Sequence, residues 1–268
     1  MNEELPLARR DSIAGRLADG QSVVAAVLAA EFGVSEDAIR RDLRALAAQG
    51  LCRRVYGGAL PVTPASRPMA ARIDEASERK QALARAAVPS IQRGEFLFLD
   101  SSSTNLALVG YLPEDFGLTV ATNSIDIAAA ALRRSDLQLV MIGGTVDPVV
   151  GGCVDASALQ SVARMNIDRC FLGACAVSPN GGISVFDMAD AAFKRAVLAV
   201  SVHSAVLSTN EKLDTRSPYR VAAIEEIDCF IVEHDPPRTH RLALAEAGAS
   251  IVAAAAPVLG HACTEGPL

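Results

Sequence analysis

Between residues 40 and 56 the chain carries five arginines, Arg40, Arg41, Arg44, Arg53 and Arg54, against a single acid, Asp42. Guanidinium groups gathered this way suit phosphates and base edges, because each presents a rigid fork of donors that keeps its charge. A second chemistry lies in four loops rich in hydroxyl, amide and glycine residues. These are Asp100-Ser101-Ser102-Ser103-Thr104, Thr122-Asn123-Ser124, Gly143-Gly144-Thr145 and Ser208-Thr209-Asn210-Glu211-Lys212. Backbone N–H groups and hydroxyls of that kind cradle an anion, and Lys212 supplies a point charge. Any one of these loops is an ordinary turn; four of them with a lysine describe a pocket.

The elements that must position the arginines are a helix pair and a wing. Gly33 permits a tight inter-helix turn. Ser35 is a good N-cap, and Glu36 and Asp37 suit the positive end of the helix that follows. Ile39, Leu43 and Leu46 fall at i, i+4 and i+7, which predicts one buried stripe with Arg41 and Arg44 opposite it and Arg40 on the flank. Gly50 is placed to end that helix. The segment from Val23 to Phe32 supplies the first helix of the pair, and Ile13 and Leu17 lie on an earlier helix that closes a small core. After Gly50, the stretch Leu51 to Ala59 reads as a short strand and a Gly-Gly turn, a wing that aims Arg53 and Arg54 at backbone phosphates. A solvated amphipathic helix accounts for an arginine face, but not for the cap, turn and wing beside it.

The loops of the second group each follow a short apolar run: Phe96–Leu99, Leu118–Ala121, Leu137–Ile142 and Ala205–Leu207, with Cys229–Val232 a further strand candidate. Such runs, alternating with helical segments, predict a mostly parallel sheet covered by helices, with a ligand beyond the carboxyl ends of the strands. The expected organisation is α/β: a winged helix-turn-helix domain over residues 1–60, a proline-containing linker over 61–74, a larger α/β domain with an anion pocket over 75–257 and a tail over 258–268.

Composition bounds the classes. Of 268 residues, 50% are hydrophobic and 21% charged, enough for a sizeable core and unlike a disordered chain. With no apolar run of about 18 residues, a membrane span is not expected. The acidic start, Met1-Asn2-Glu3-Glu4, lacks a basic-then-apolar leader, which predicts a cytoplasmic protein. A net charge of −6 means that DNA contact must rest on locally concentrated arginine. Cys52, Cys153, Cys170, Cys175, Cys229 and Cys263 are scattered, the pattern of reduced, mostly buried thiols. No histidine lies near Cys170 and Cys175 in sequence, and His203, His234, His240 and His261 show no ligand spacing. No metal or cofactor is therefore expected.

The stretch from Val34 to Leu43 resembles the helix-turn-helix signature of the DeoR family of bacterial repressors, and Gly50 to Ala59 resembles the wing that follows it. The likeness runs over nearly the whole chain. Lys80 falls in the helix after the linker, Leu99 to Thr104 matches the first sensor loop and Thr122-Asn123-Ser124 the second. Gly143-Gly144, Gly151, Phe171-Leu172-Gly173 and Lys194-Arg195 also fall in place. The sequence departs from the family at Ala38, where a Thr is usual, and at Val24, where a polar cap is usual. Ser102 stands where the first sensor loop carries glycine. Thr209-Asn210-Glu211-Lys212 stands for Asp-Ser-Ser-Lys, so the lysine is kept and the aspartate is not.

The resemblance implies a sensor domain related to ribose-phosphate isomerases and CoA transferases, release from operator DNA by a phosphorylated sugar, and a homodimer or higher homo-oligomer. The candidate DNA contacts are Ser35, Ala38, Arg40, Arg41, Arg44, Arg53, Arg54 and Tyr56, divided between phosphates and base edges in a way the sequence leaves open. The candidate effector contacts are Asp100, Ser101, Ser102, Ser103, Thr104, Asn123, Ser124, Gly143, Gly144 and Lys212. Two rivals stand beside this reading. One is a sugar-phosphate isomerase or transferase, for which Asp100, Glu211 and Glu226 are candidate acid–base groups. The other is a DNA-binding protein whose second domain only oligomerises.

Overall fold

Ile39, Leu43 and Leu46 form the predicted stripe and are fully buried against Ile13, Leu17 and Leu28. The computed structural model describes residues 6–18, 23–49, 51–61 and 67–256; Gly50 and the expected tail over 258–268 lie outside them. The chain divides into two compact units, residues 1–67 and 68–268.

In the first unit the order is α1 (Pro6–Ala18), β1 (Val23–Val24), α2 (Ala25–Phe32), α3 (Glu36–Ala48), β2 (Cys52–Val55) and β3 (Gly58–Pro61). Gly33 takes the left-handed conformation (φ 63°) that ends α2 and allows the turn into α3. The three strands form an antiparallel sheet in the order β1-β3-β2, so the wing is a hairpin with a third strand laid on it. Val24 offers α2 no side-chain cap. The wing compensates, because the Gly57 carbonyl accepts the Ala25 N–H at 2.8 Å. Gly58 is required there, since a Cβ would sit 2.0 Å from the Val23 carbonyl oxygen.

The second unit begins with α4 (Met69–Arg72) and α5 (Ser77–Ala87). It continues with β4 (Phe96–Leu99), α6 (Ser103–Val109), β5 (Thr119–Thr122), α7 (Ile125–Ala131), β6 (Gln138–Met141), the short hairpin β7 (Val146–Asp147) and β8 (Gly152–Cys153), and α8 (Ala156–Val162). Then come β9 (Ile167–Leu172), β10 (Ala176–Ser178), β11 (Gly182–Val185), α9 (Met188–Ala199), β12 (Ser201–Ser208), β13 (Tyr219–Ala222), β14 (Cys229–Val232), α10 (Arg238–Glu246) and β15 (Ile251–Ala253).

Seven strands form one parallel sheet in the order β15-β14-β12-β9-β4-β5-β6. Alternate residues feed two cores. Phe98, Cys170, Leu172, Val206 and Phe230 pack with α8 and α9, while Leu97, Leu99, Phe171, Leu207 and Ile231 pack with α5, α6 and α7. A second, antiparallel sheet runs β10-β11-β13.

All five runs read as strands lie in the main sheet. The central strand β9 interrupts its own apolar run with Asp168 and Arg169, which is why only its last residues stand out in the sequence. Both are satisfied: Asp168 accepts the Phe96 N–H at 2.7 Å, and Arg169 pairs with buried Glu95 at 3.0 Å. Residues 69–72, read as linker, form α4 in the second unit, with Met69 buried. Cys52, Cys153 and Cys170 are buried and Cys175 and Cys229 half-buried, none of them in a disulfide; Cys263 is outside the described residues. Among those residues no helix is long and apolar enough to cross a membrane.

Candidate functional site

On the first unit, the Ser35 hydroxyl accepts the Ala38 N–H at 3.3 Å and so serves as the N-cap of α3. Arg41 and Arg44 are exposed on the outer face, with Ala38 half-buried at its edge. Arg40 lies along its own helix against Glu36 at 2.7 Å and Asp37 at 3.4 Å. Exposed pairs of this kind are worth under about 1 kcal/mol, so Arg40 is readily released to a phosphate. Arg54 and Tyr56 are exposed on the wing, Tyr56 wholly so. The side chain of Arg53 is outside the described residues. A groove of about 520 Å³ runs between Glu36, Arg40 and Leu43 on one side and Arg54 to Gly58 on the other.

Asp42 does not face outward with the arginines. It is buried, receiving Arg9 and Arg10 from α1 at 2.7 Å each. The acid that subtracts from the local positive charge in the sequence is thus a clasp between α1 and α3, neutralised from within.

On the second unit the loops meet where the strand order reverses. From β4 the chain moves outward to β5 and β6, then returns to the other side of β4 as β9 and continues to β12, β14 and β15. Such a switch point opens a crevice beyond the carboxyl ends of the strands. The loops after β4, β5, β9 and β12 border it here.

The structure divides the predicted effector residues into those that build the crevice and those with capacity left over. Asp100 is fully buried, and its carboxylate accepts the Gly173 N–H at 2.8 Å, Asn105 Nδ2 at 2.7 Å and Lys194 Nζ. Burial opposes the Lys194 charge, but Asp100 and Asp190 more than offset it, so its pKa is raised. Asn123 is likewise consumed. Its Oδ1 accepts the Ser101 N–H at 3.1 Å, and its Nδ2 donates to the Cys153 carbonyl at 3.1 Å. Ser124 caps α7, and Ser102 caps α6 by accepting the Thr104 N–H at 3.3 Å. Ser103 and Thr104 are buried in the first turn of α6. Gly173 explains how Ser102 fits in place of glycine: a Cβ on Gly173 would lie 2.6 Å from that of Ser102. Gly144 (φ 146°) passes close over Asp155, which accepts the Thr145 N–H at 2.7 Å, while Gly143 is open on its outer side.

Capacity is left at Ser101 and on the cations. The Ser101 hydroxyl is buried without a hydrogen-bond partner among the described residues. Lys212, on the turn after β12, has its pKa lowered chiefly by burial, with Arg72 adding to the effect. Lys80, buried on α5, is lowered to about 8 by burial and then by Lys212. Its Nζ donates to the Arg72 carbonyl. Glu211 pairs with Arg79 at 3.0 Å and accepts the Thr209 hydroxyl at 2.8 Å, and it lies near enough to favour the charges of Lys80 and Lys212. Arg72 had no signal in the sequence, because it lies in the proline-containing stretch; Lys80 entered only as a family match.

Over residues 75–234 the chain matches the DeoR C-terminal sensor domain, and over residues 9–65 the DeoR-like helix-turn-helix domain. It is 30% identical to the HTH-type transcriptional regulator GlpR of Haloferax volcanii, covering 92% of this chain and 98% of that one. It is 28% identical to the glycerol-3-phosphate regulon repressor of Escherichia coli K12, covering 78% and 84%. Among solved structures, ribose 5-phosphate isomerase from Plasmodium falciparum overlaps 52% of this chain and 54% of its own at 17% identity, with a TM-score of 0.37. The two matched domains lie in that order along one chain, and this protein belongs to the DeoR family of transcriptional regulators.

Proposed function

We propose that the protein represses a carbohydrate-metabolism operon and leaves its operator when a phosphorylated sugar occupies the crevice at the β4–β9 switch point. The observation that carries the reading is the buried, unpartnered Ser101 hydroxyl on the loop after β4, supported by Lys80 and Lys212, which lie near enough to each other for the Lys212 charge to discourage that of Lys80. Lys80 and Lys212 are discouraged from protonation chiefly by desolvation, and Lys80 next by Lys212; an incoming anion relieves this, and a phosphate monoester brings a charge of about −1.5 to −2 at neutral pH. The glycerol-3-phosphate in the name of the E. coli relative is an anion of this class. Ser101, Ser103, Gly143 and Lys212 contact the ligand, while Asp100, Asn123 and Ser124 hold the loops that present them.

On the DNA side, Arg41 and Arg44 enter the major groove from α3, and Arg54 and Tyr56 contact the backbone from the wing. The protein acts in the cytoplasm as a homodimer or higher oligomer on paired half-sites. The enzyme alternative is disfavoured because its candidate carboxylates already have structural roles. Asp100 is held by Lys194, Glu211 by Arg79, and Glu226 accepts the Ala223 N–H at 2.6 Å.

Thermal-shift screening with phosphorylated and unphosphorylated sugars tests the reading. A phosphate ester raises the melting temperature and releases bound promoter DNA, and in Lys212→Ala it no longer does so. Turnover of the ester, or no response to any of them, contradicts it.

A further inference from the structure

We propose that the second unit pairs with a second copy of this chain along strand β6, the open edge of the seven-stranded sheet, and along the outer side of α7 above it. The proposal rests on the homo-oligomer stated above and names the surface that builds it.

Strand β6 ends the sheet, and among the described residues no strand pairs with its outer side. Its inward hydrogen bonds fall on alternate residues. The Gln138 N–H donates to the Leu118 carbonyl at 3.1 Å, and the Ile142 N–H to the Thr122 carbonyl at 2.8 Å. The amides and carbonyls of Leu139 and Met141, between them, therefore point away from the sheet. Edge strands usually block further pairing with lysine, proline or a bulge. Gln138-Leu139-Val140-Met141 carries none of these.

The layer above this edge is apolar as well. Helix α7 packs on β5 and β6, with Ile127 and Ala131 buried beneath it. Ile125, Ala129 and Leu132 follow at i, i+4 and i+7 and stay exposed, Leu132 at 74%. Leu139 packs into the core on the α7 side, so Met141, two residues on, faces that side too and is 40% exposed. At the opposite edge of the sheet, by contrast, Glu78 and Arg85 border the groove where β15 ends.

The occupant is a second copy because this surface complements itself. A two-fold axis at Val140 sets Leu139 of one copy opposite Met141 of the other, and the converse. Each such pair exchanges both its N–H···O bonds, and the sheet continues through the dimer. Helix α7 runs antiparallel to β6, so the same axis lays the two α7 helices antiparallel. The Asp126 end of one helix then meets the Arg133 end of the other, which matches opposite charges and opposite helix dipoles. Arg134 is taken by Asp136 at 2.6 Å, whereas Arg133 is exposed and has no ion pair among the described residues. The apolar stripes of the two copies close over the shared strands.

Sedimentation equilibrium of the full-length protein compares wild type with Met141→Lys and, as a control, with Val252→Lys on the opposite edge. Wild type sediments as a dimer or a larger even assembly. Met141→Lys sets a lysine into the seam twice, so the dissociation constant rises roughly a hundredfold, tenfold for each lysine, and the particle mass halves at micromolar concentration. Its circular dichroism stays that of wild type, and Val252→Lys sediments as wild type does. Hydrogen exchange on wild type is the second reading and needs no variant. The Leu139 and Met141 amides, unpaired in a lone sheet, exchange slowly in the assembly because the other copy accepts them. Fast exchange of both amides in an assembled protein overturns the proposal. So does an unchanged mass in a folded Met141→Lys protein, or a mass halved by Val252→Lys instead; each leaves the repressor reading intact. If Met141→Lys fails to fold, the exchange decides. A monomeric wild type overturns this inference together with the oligomer stated above.

Discussion

Asp100→Ala distinguishes a scaffold from a ligand contact. The substitution deletes the acceptor of Gly173 N–H, Asn105 Nδ2 and Lys194 Nζ together. It leaves Lys194 at 3% side-chain exposure with Asp190, 3.1 Å away, as its remaining carboxylate. Removing one partner of a buried pair costs about 3–5 kcal/mol, and the surviving Asp190 contact favours the lower end, about 3 kcal/mol. For a unit of this size each kcal/mol moves the melting temperature by about 2–4 °C, so a fall of about 6–12 °C is expected. Adding Lys194→Met removes the stranded charge and recovers part of the loss, with a coupling of about 1–3 kcal/mol in the double-mutant cycle. Calorimetry on the four proteins measures it. If Asp100→Ala melts with wild type and loses only its answer to phosphate esters, Asp100 is a ligand contact and its scaffold role is refuted.

Three further expectations follow from the same geometry. Asp42→Ala strands buried Arg9 at a cost of about 3–5 kcal/mol, large for a unit of this size; calorimetry should show the DNA-binding unit melting early while the sensor unit keeps its ester response. Gly58→Ala drives a Cβ to within 2.0 Å of the Val23 carbonyl oxygen, so the wing separates and the salt dependence of DNA binding falls by about one unit for each phosphate the wing no longer reaches. Lys80, at about 8 among Lys212, Glu75, Arg72 and Glu211, is charged at neutral pH and discharges as pH rises. Ester affinity therefore holds near pH 7 and falls above about 8, and titration calorimetry should find that fall reduced in Lys80→Met. The sign for the free protein is opposite: a lysine whose folded pKa is depressed penalises folding below about 8, and the penalty fades as pH rises towards its unfolded value. An affinity that climbs with pH would contradict the placement.

The recognition helix was legible because everything that defines it is local. The stripe of Ile39, Leu43 and Leu46, the Ser35 cap and the Gly33 turn all lie within fourteen consecutive residues, and each takes its expected place. The role of Asp42 was not legible, because Arg9 and Arg10 reach it from more than thirty positions away. The strand-end loops stood out by composition, but composition does not say which side chains are consumed by the scaffold. Asp100 and Asn123 look like ligand contacts in sequence and prove to be saturated by Gly173, Lys194, Ser101 and Cys153. Conversely, Arg72 carries no local pattern; only the packing of α4 against the β7–β8 hairpin brings it beside Lys80. Strand β9 was obscured because two charged residues are stabilised by partners on its neighbours, an arrangement visible only once the sheet is assembled.

Coupling between DNA binding and ester binding in one chain is measured most directly by a single titration. Fluorescence anisotropy of a labelled duplex carrying the promoter region beside the protein's own gene follows binding of the full-length protein, first alone and then with increasing phosphate ester. Binding should be tighter than to unrelated duplex and weakened by an ester but not by its unphosphorylated sugar, with that response abolished in Lys212→Ala. Binding indifferent to every ester, or no preference for the promoter duplex, would contradict the coupling.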